Sequence, residues 1–186
     1  MNAVVPVESA PEDFSKLLIP DANHDAEIKC GELSVKAHKI ILGARSEVFK
    51  EMLKGQTDSI KIKGMDINYL KEFVRYLYTG LMPDLTFEKA KNFYEAGDRY
   101  DIRSLMQRCS EYFEDTLSHE NAFHCFALAD AHSDQKLASR VKTYILEEKM
   151  YLEDDLWEPF YETYPKFALE VRRSSCKRKI NQIENV

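Results

Sequence analysis

Between Leu33 and Phe49 the spacing of apolar residues changes from every second position to a helical period. Leu33, Val35 and Ala37 alternate with polar neighbours, the pattern of a strand with one buried face. From His38 onward Ile40, Ile41 and Leu42 predict a short, largely buried helix. Gly43-Ala44-Arg45 breaks that run, and Ser46 is placed to cap a second helix carrying Phe49, Met52 and Leu53. Upstream, Ala26, Ile28 and Cys30 alternate with Glu27 and Lys29, so residues 25–30 read as a strand joined to the next by a turn at Gly31. After a loop at 55–58, Ile60 and Ile62 alternate with Lys61 and Lys63 in a third strand that Gly64 closes.

Helical spacing then takes over. Leu70, Phe73, Val74, Leu77 and Tyr78 form one uninterrupted stripe, started by Asp66 and stopped by Gly80 and Pro83. Thr86 is placed to cap a helix with Ala90, Phe93, Tyr94 and Gly97 inward. Asp101 is expected to cap the next, with Ile102, Leu105, Met106, Cys109 and Phe113 inward. Past Ser118 the pattern suits shorter helical pairs. Ala122, Cys125, Phe126 and Ala129 make one face; Ser133 is placed to cap a helix with Leu137, Val141, Tyr144 and Ile145. Trp157, Phe160 and Phe167, around Pro159 and Pro165, predict one more short pair.

Before the first strand, residues 1–13 have no period and read as a disordered lead. Phe14, Leu17 and Leu18 follow at helical spacing, ended by Pro20 to Asn23. So short a segment cannot bury that face alone. It lies either on its own domain or against a second chain.

The composition, 44% hydrophobic and 31% charged over 186 residues, is that of an ordinary globular chain. A net charge of −6 gives no general reason to bind nucleic acid, yet residues 172–186 hold five bases against one acid. Arg172, Arg173, Lys177, Arg178 and Lys179 read as a nuclear-import or phosphate patch, or as a solvated end. Four cysteines without CxxC spacing suggest reduced thiols, hence a cytosolic or nuclear setting. With no signal pattern and no apolar run of about 18 residues, neither secretion nor a membrane span is expected.

The chemistry of catalysis is not legible. Phosphate-cradling glycine loops, GxSxG and HExxH are all missing. His119, His124 and His132 cluster with Cys125, but five residues on a helix turn His119 and His124 apart. His38 reads as a buried histidine satisfied by a backbone or carboxylate partner, Asp25 being near in the hairpin.

His38-Lys39, Leu42, Ala44-Arg45-Ser46, Val48-Phe49, Leu77-Tyr78-Thr79-Gly80, then Ala96, Asp98, Tyr100 and Leu105, resemble a BTB/POZ domain. In pattern the chain is similar to the MATH-BTB family of the speckle-type POZ protein, with the MATH domain expected to be missing. The resemblance implies an α+β fold, a small β-sheet flanked by helical hairpins, over residues 14–118, led by a dimerisation helix. A short all-α BACK-like extension over 119–171 and a basic tail over 172–186 follow.

It also implies function. A homodimer would bury Phe14, Leu17, Leu18 and Ile41. A cullin-3 ubiquitin ligase scaffold would dock on Met52, Gln56, Thr57, Tyr94, Asp98, Tyr100 and Arg103. Family loops before the third strand carry an apolar residue and, two positions on, a glutamate; residues 54–59 lack that pair, so weak docking is expected. Such a chain would be a non-enzymatic adaptor of nucleus and cytoplasm, or a partner in hetero-dimers with MATH-BTB relatives. It could also recruit through its tail or another surface. The alternative is a nuclear BTB transcription regulator. No cofactor, small molecule or membrane is implied, and without a DNA-reading element nucleic acid is not the expected partner.

Overall fold

Strand β1 (Ala26–Cys30) lies at the centre of a three-stranded sheet, between β2 (Leu33–Ala37) and β3 (Ser59–Lys61). This computed structural model describes residues 14–19, 23–62, 64–152 and 154–184, without the side chains of 154–156 and 177–184. The lead over 1–13, the Pro20–Ala22 stop, Lys63 and the side chains of Lys177, Arg178 and Lys179 therefore lie outside the described residues. The chain divides into two units, Met1–Cys109 and Ser110–Val186.

In the first unit β1 pairs antiparallel with β2, Ile28 opposite Val35, through a turn where Gly31 takes a φ of 59°. It pairs parallel with β3, Ile28 opposite Ile60. A parallel neighbour requires a crossover, and α1 (Lys39–Arg45) with α2 (Glu47–Met52) supplies it. Ile28 and Ile60 are buried as alternation predicts. Strand β2 departs from its pattern: Ala37 is buried, Val35 half-buried and Leu33 exposed. It is an edge strand, and Leu33 stands beside the turn. Helix α1 likewise buries Leu42 alone and leaves Ile40 78% exposed. Consecutive helical residues point about 100° apart, so three in a row cannot share one core face.

Ser46 caps α2 as expected, its Oγ accepting the Phe49 N–H at 3.0 Å. Helix α3 (Ile67–Thr79) starts on Asp66, whose side chain accepts from the Asn68 N–H, and stops at Gly80 in the left-handed conformation. Thr86 caps α4 (Phe87–Arg99) through the Lys89 N–H. Asp101 does not play the expected part. It sits two residues ahead of α5 (Arg103–Asp115) with a φ of 48°, and its carboxylate meets Arg103 Nε at 3.3 Å. The core joins these elements through Phe49, which stacks on Tyr100 at 4.5 Å and meets Phe73 edge-on at 6.3 Å.

In the second unit α6 (Ala122–Ala131) buries Ala122, Cys125, Phe126 and Ala129, and α7 (Gln135–Glu147) buries Leu137, Val141 and Ile145. The α7 cap is Asp134, which accepts the Leu137 N–H at 3.0 Å. Ser133, expected there, adopts a φ of 56° one residue earlier and so lies outside the helix start. Helix α8 (Asp154–Thr163) contains Pro159, and α9 runs unbroken from Pro165 to Glu184. The short pair expected here is thus one ten-residue and one twenty-residue helix. Pro165 opens α9 at the position where a missing N–H costs nothing. Phe167 packs on Phe126 with ring centroids 3.7 Å apart, and Phe160 on Phe123 at 4.5 Å.

Candidate protein-interaction surface

Helix α1 is fastened at both ends to the last turn of α3. At its start the Tyr78 hydroxyl accepts the His38 main-chain N–H at 2.8 Å and lies 2.8 Å from His38 Nδ1. Burial pushes the Tyr78 phenol up to about 12. The expected carboxylate partner is elsewhere engaged: Asp25 Oδ1 accepts the Lys39 N–H at 2.8 Å. His38 itself is half-buried, because α1 begins at the rim of the unit. At the other end Arg45 donates from Nε to the Leu77 carbonyl at 2.8 Å and from Nη2 to the Tyr76 carbonyl at 3.3 Å.

Between these fastenings lies an open hollow of about 300 Å³, walled by Phe14, Ile41, Ala44, Arg45 and residues 77–80. The structure thus brings Phe14 and Ile41, far apart in sequence, to one place. Leu17 and Leu18 lie in the adjoining 3-10 turn Lys16–Leu18. Phe14 is 42% and Leu17 37% exposed, while Leu18 and Ile41 are half-buried. Sequence reasoning singled out Leu77-Tyr78-Thr79-Gly80 for the helical stripe and the family likeness but did not assign it to this wall.

A second group of expected residues divides. Met52 is exposed at the end of α2, Gln56 and Thr57 on the stretch that follows it, and Asp98 and Arg103 at the α4–α5 corner. Tyr94 and Tyr100 are core residues, 0% and 4% exposed, so neither ring is offered to a partner. The reason is helical phase. Tyr94 shares the inward face of α4 with Ala90, Phe93 and Gly97, and Tyr100 fills the space against Phe49. Their part is support: Ser46 donates from Oγ to the Tyr100 carbonyl at 2.6 Å, linking the α2 start to the α4–α5 corner. The loop before β3 is pinned as well. The Asp58 carbonyl accepts the Glu27 N–H at 2.8 Å, and its carboxylate pairs with Lys39.

Arg172 and Arg173 are exposed on α9, Arg172 lying 5.2 Å from the Tyr161 ring centre. His119 Nε2 lies 3.6 Å from Glu148. Among the described residues no group of three or more His, Cys, Asp or Glu is placed to hold a metal, and no helix is long and apolar enough to cross a membrane. The four cysteines are free, and burial pushes the Cys109 and Cys125 thiols up to about 12.

The family profile described as BTB/POZ domain matches residues 14–117, more than half of the chain. The chain belongs to the BTB/POZ family. The solved BTB domain of zebrafish PATZ1 is similar in fold, with a TM-score of 0.53 at 18% identity over 62% of this chain and all of that one. Protein maternal effect lethal 26 of Caenorhabditis elegans is 30% identical over 167 residues, 86% of this chain and 42% of that protein. TD and POZ domain-containing protein 4 of Mus musculus is 32% identical over 149 residues, 75% of this chain and 40% of that protein. The chain spans less than half the length of these relatives. BTB/POZ domains are protein-interaction modules that typically dimerise, and their members are generally non-enzymatic adaptors.

Proposed function

We propose that this chain is a dimeric BTB adaptor that docks on a cullin-3 ubiquitin ligase scaffold, or that tunes MATH-BTB relatives by pairing with them. One observation carries the dimer: Phe14 and Leu17 stand exposed beside a hollow that Phe14 and Ile41 help to wall. A two-fold arrangement would cover this face twice over. The division of labour then assigns residues 14–118 to dimerisation and docking, 119–171 to a BACK-like extension and 172–186 to a basic tail.

Docking on the cullin would use Met52, Gln56, Thr57, Asp98 and Arg103, with Tyr94 and Tyr100 holding the surface from beneath. Asp58 holds this loop through its ion pair with Lys39. The stretch Lys54 to Ser59 supplies no large apolar anchor, which supports weak docking. Losing one such anchor costs about 2 kcal/mol or more, roughly thirtyfold in affinity. Sedimentation of the chain at micromolar concentration tests the dimer, and a monomer there would defeat the reading. Calorimetry against a purified cullin-3 N-terminal domain tests docking, and no heat at high concentration would defeat that part.

The exposed Arg172 and Arg173 favour residence in nucleus as well as cytoplasm, and with it a second reading as a nuclear transcription regulator. Pull-down of cullin against DNA or histones separates the two. A reporter carrying residues 172–186 should enter the nucleus and should fail to do so with Lys177, Arg178 and Lys179 replaced by alanine.

A further inference from the structure

Arg172 and Arg173 precede Ser175 by three and two positions. Paired guanidinium groups at that distance suit the acidic substrate pockets of arginine-directed serine/threonine kinases, where fork-like charge-assisted bonds read them. Both arginines are exposed on α9, so this recognition element faces solvent in the folded chain. The two candidate hydroxyls differ. Ser174 is half-buried and donates from Oγ to the Glu170 carbonyl at 2.8 Å. Ser175 is 8% exposed and follows Ala168 and Val171, both fully buried, at helical spacing. It therefore belongs to the stripe by which α9 is held in its unit. That attachment also uses Phe167 on Phe126 and the Lys142–Glu170 ion pair at 2.9 Å from α7.

We propose that Ser175 is a phosphorylation site for an arginine-directed kinase and that the phosphate keeps residues 168–175 of α9 detached from their unit. The γ-phosphoryl group of a nucleoside triphosphate passes to Ser175 Oγ. A new P–O bond forms, the bond to the departing nucleoside diphosphate breaks, and the hydroxyl proton goes to the base of the kinase. The reaction takes place while α9 is locally open, as helices in a folded unit open from time to time. Once made, a group of about −1.5 to −2 charges cannot return to an inward stripe beside Ala168 and Val171 without losing its water. The same event removes about half of the net positive charge of residues 172–186, five bases and one acid.

The full chain is incubated with ATP and a purified arginine-directed kinase, and the phosphate is located by mass spectrometry. Incorporation is expected at Ser175, lost in Ser175→Ala, retained in Ser174→Ala, and lowered roughly tenfold or more when Arg172 and Arg173 are both replaced by alanine. Amide exchange over residues 168–175 should quicken roughly tenfold or more in the phosphorylated chain. Absence of phosphate from the full chain, or its placement on Ser174 alone, overturns the site. Phosphate on Ser175 with unchanged exchange overturns the detachment.

Discussion

Arg45 donates from Nε to the Leu77 carbonyl at 2.8 Å, so the side chain that ends α1 closes the free end of α3. A helix leaves its last carbonyls without partners inside the helix. Gly80 turns its N–H back to the Tyr76 carbonyl, and Arg45 covers the Leu77 carbonyl with a positive charge that suits the negative end of the helix. This bond fixes α1, and with α1 the wall of the hollow.

Replacing Arg45 with alanine should lower stability by about 1–2 kcal/mol, the range for a charged hydrogen bond at a helix end. Lysine should recover only part of the loss, since a single ammonium cannot reproduce the planar fork. Chemical denaturation with an unchanged slope checks both expectations.

Ser46 accepts the Phe49 N–H and donates to the Tyr100 carbonyl, a residue 54 positions away, from one buried hydroxyl. Ser46→Ala removes a cap and strands a carbonyl, for a cost of about 2–3 kcal/mol. Ser46→Thr should be milder. A shift of the denaturation midpoint towards lower denaturant is the expected result.

Leu17→Glu combined with Ile41→Glu should give a folded monomer. Each dimer face would then bury uncompensated charge at a cost of several kcal/mol. Sedimentation velocity reports the change in mass, and circular dichroism should show the helices intact.

Above neutral pH the Tyr78 phenol sets a slope. Its ordinary pKa of 10.0 applies when unfolded, and burial raises it to about 12 in the fold. Between those values the unfolded chain has released the proton and the folded chain has not, so stability is full below pH 10 and falls as pH rises to about 12. Tyr78→Phe should weaken the fold near neutrality by removing two bonds to His38, yet flatten this alkaline decline. Thermal midpoints measured across the alkaline range give both readings.

Gln56→Met together with Asp58→Glu places an apolar residue two positions before an acid in the pinned loop. Affinity for the cullin-3 N-terminal domain should rise by about one to two orders of magnitude, the worth of a buried anchor. Calorimetry on both proteins checks the gain; nanomolar binding by the unaltered chain would show that the pair is dispensable.

The sequence by itself determined the helices with unbroken stripes, the order of strands and helices, and the caps at Ser46, Asp66, Gly80 and Thr86. These depend on bonds between residues within four positions of one another, so local spacing suffices. It also carried the BTB/POZ likeness, whose residues are spread through the first unit. Where two adjacent residues could serve the same local role, as Ser133 and Asp134 could before α7, spacing was not enough. Only the tertiary structure decided that Leu33 faces outward and which of Ile40, Ile41 and Leu42 meets the core, because both depend on where the neighbouring elements pack. It alone turned Tyr100 inward, gave His38 the Tyr78 hydroxyl 40 positions away, and tied Arg45 to Leu77 across 32. Such partnerships depend on which elements come to pack together, and a one-dimensional pattern does not contain that information.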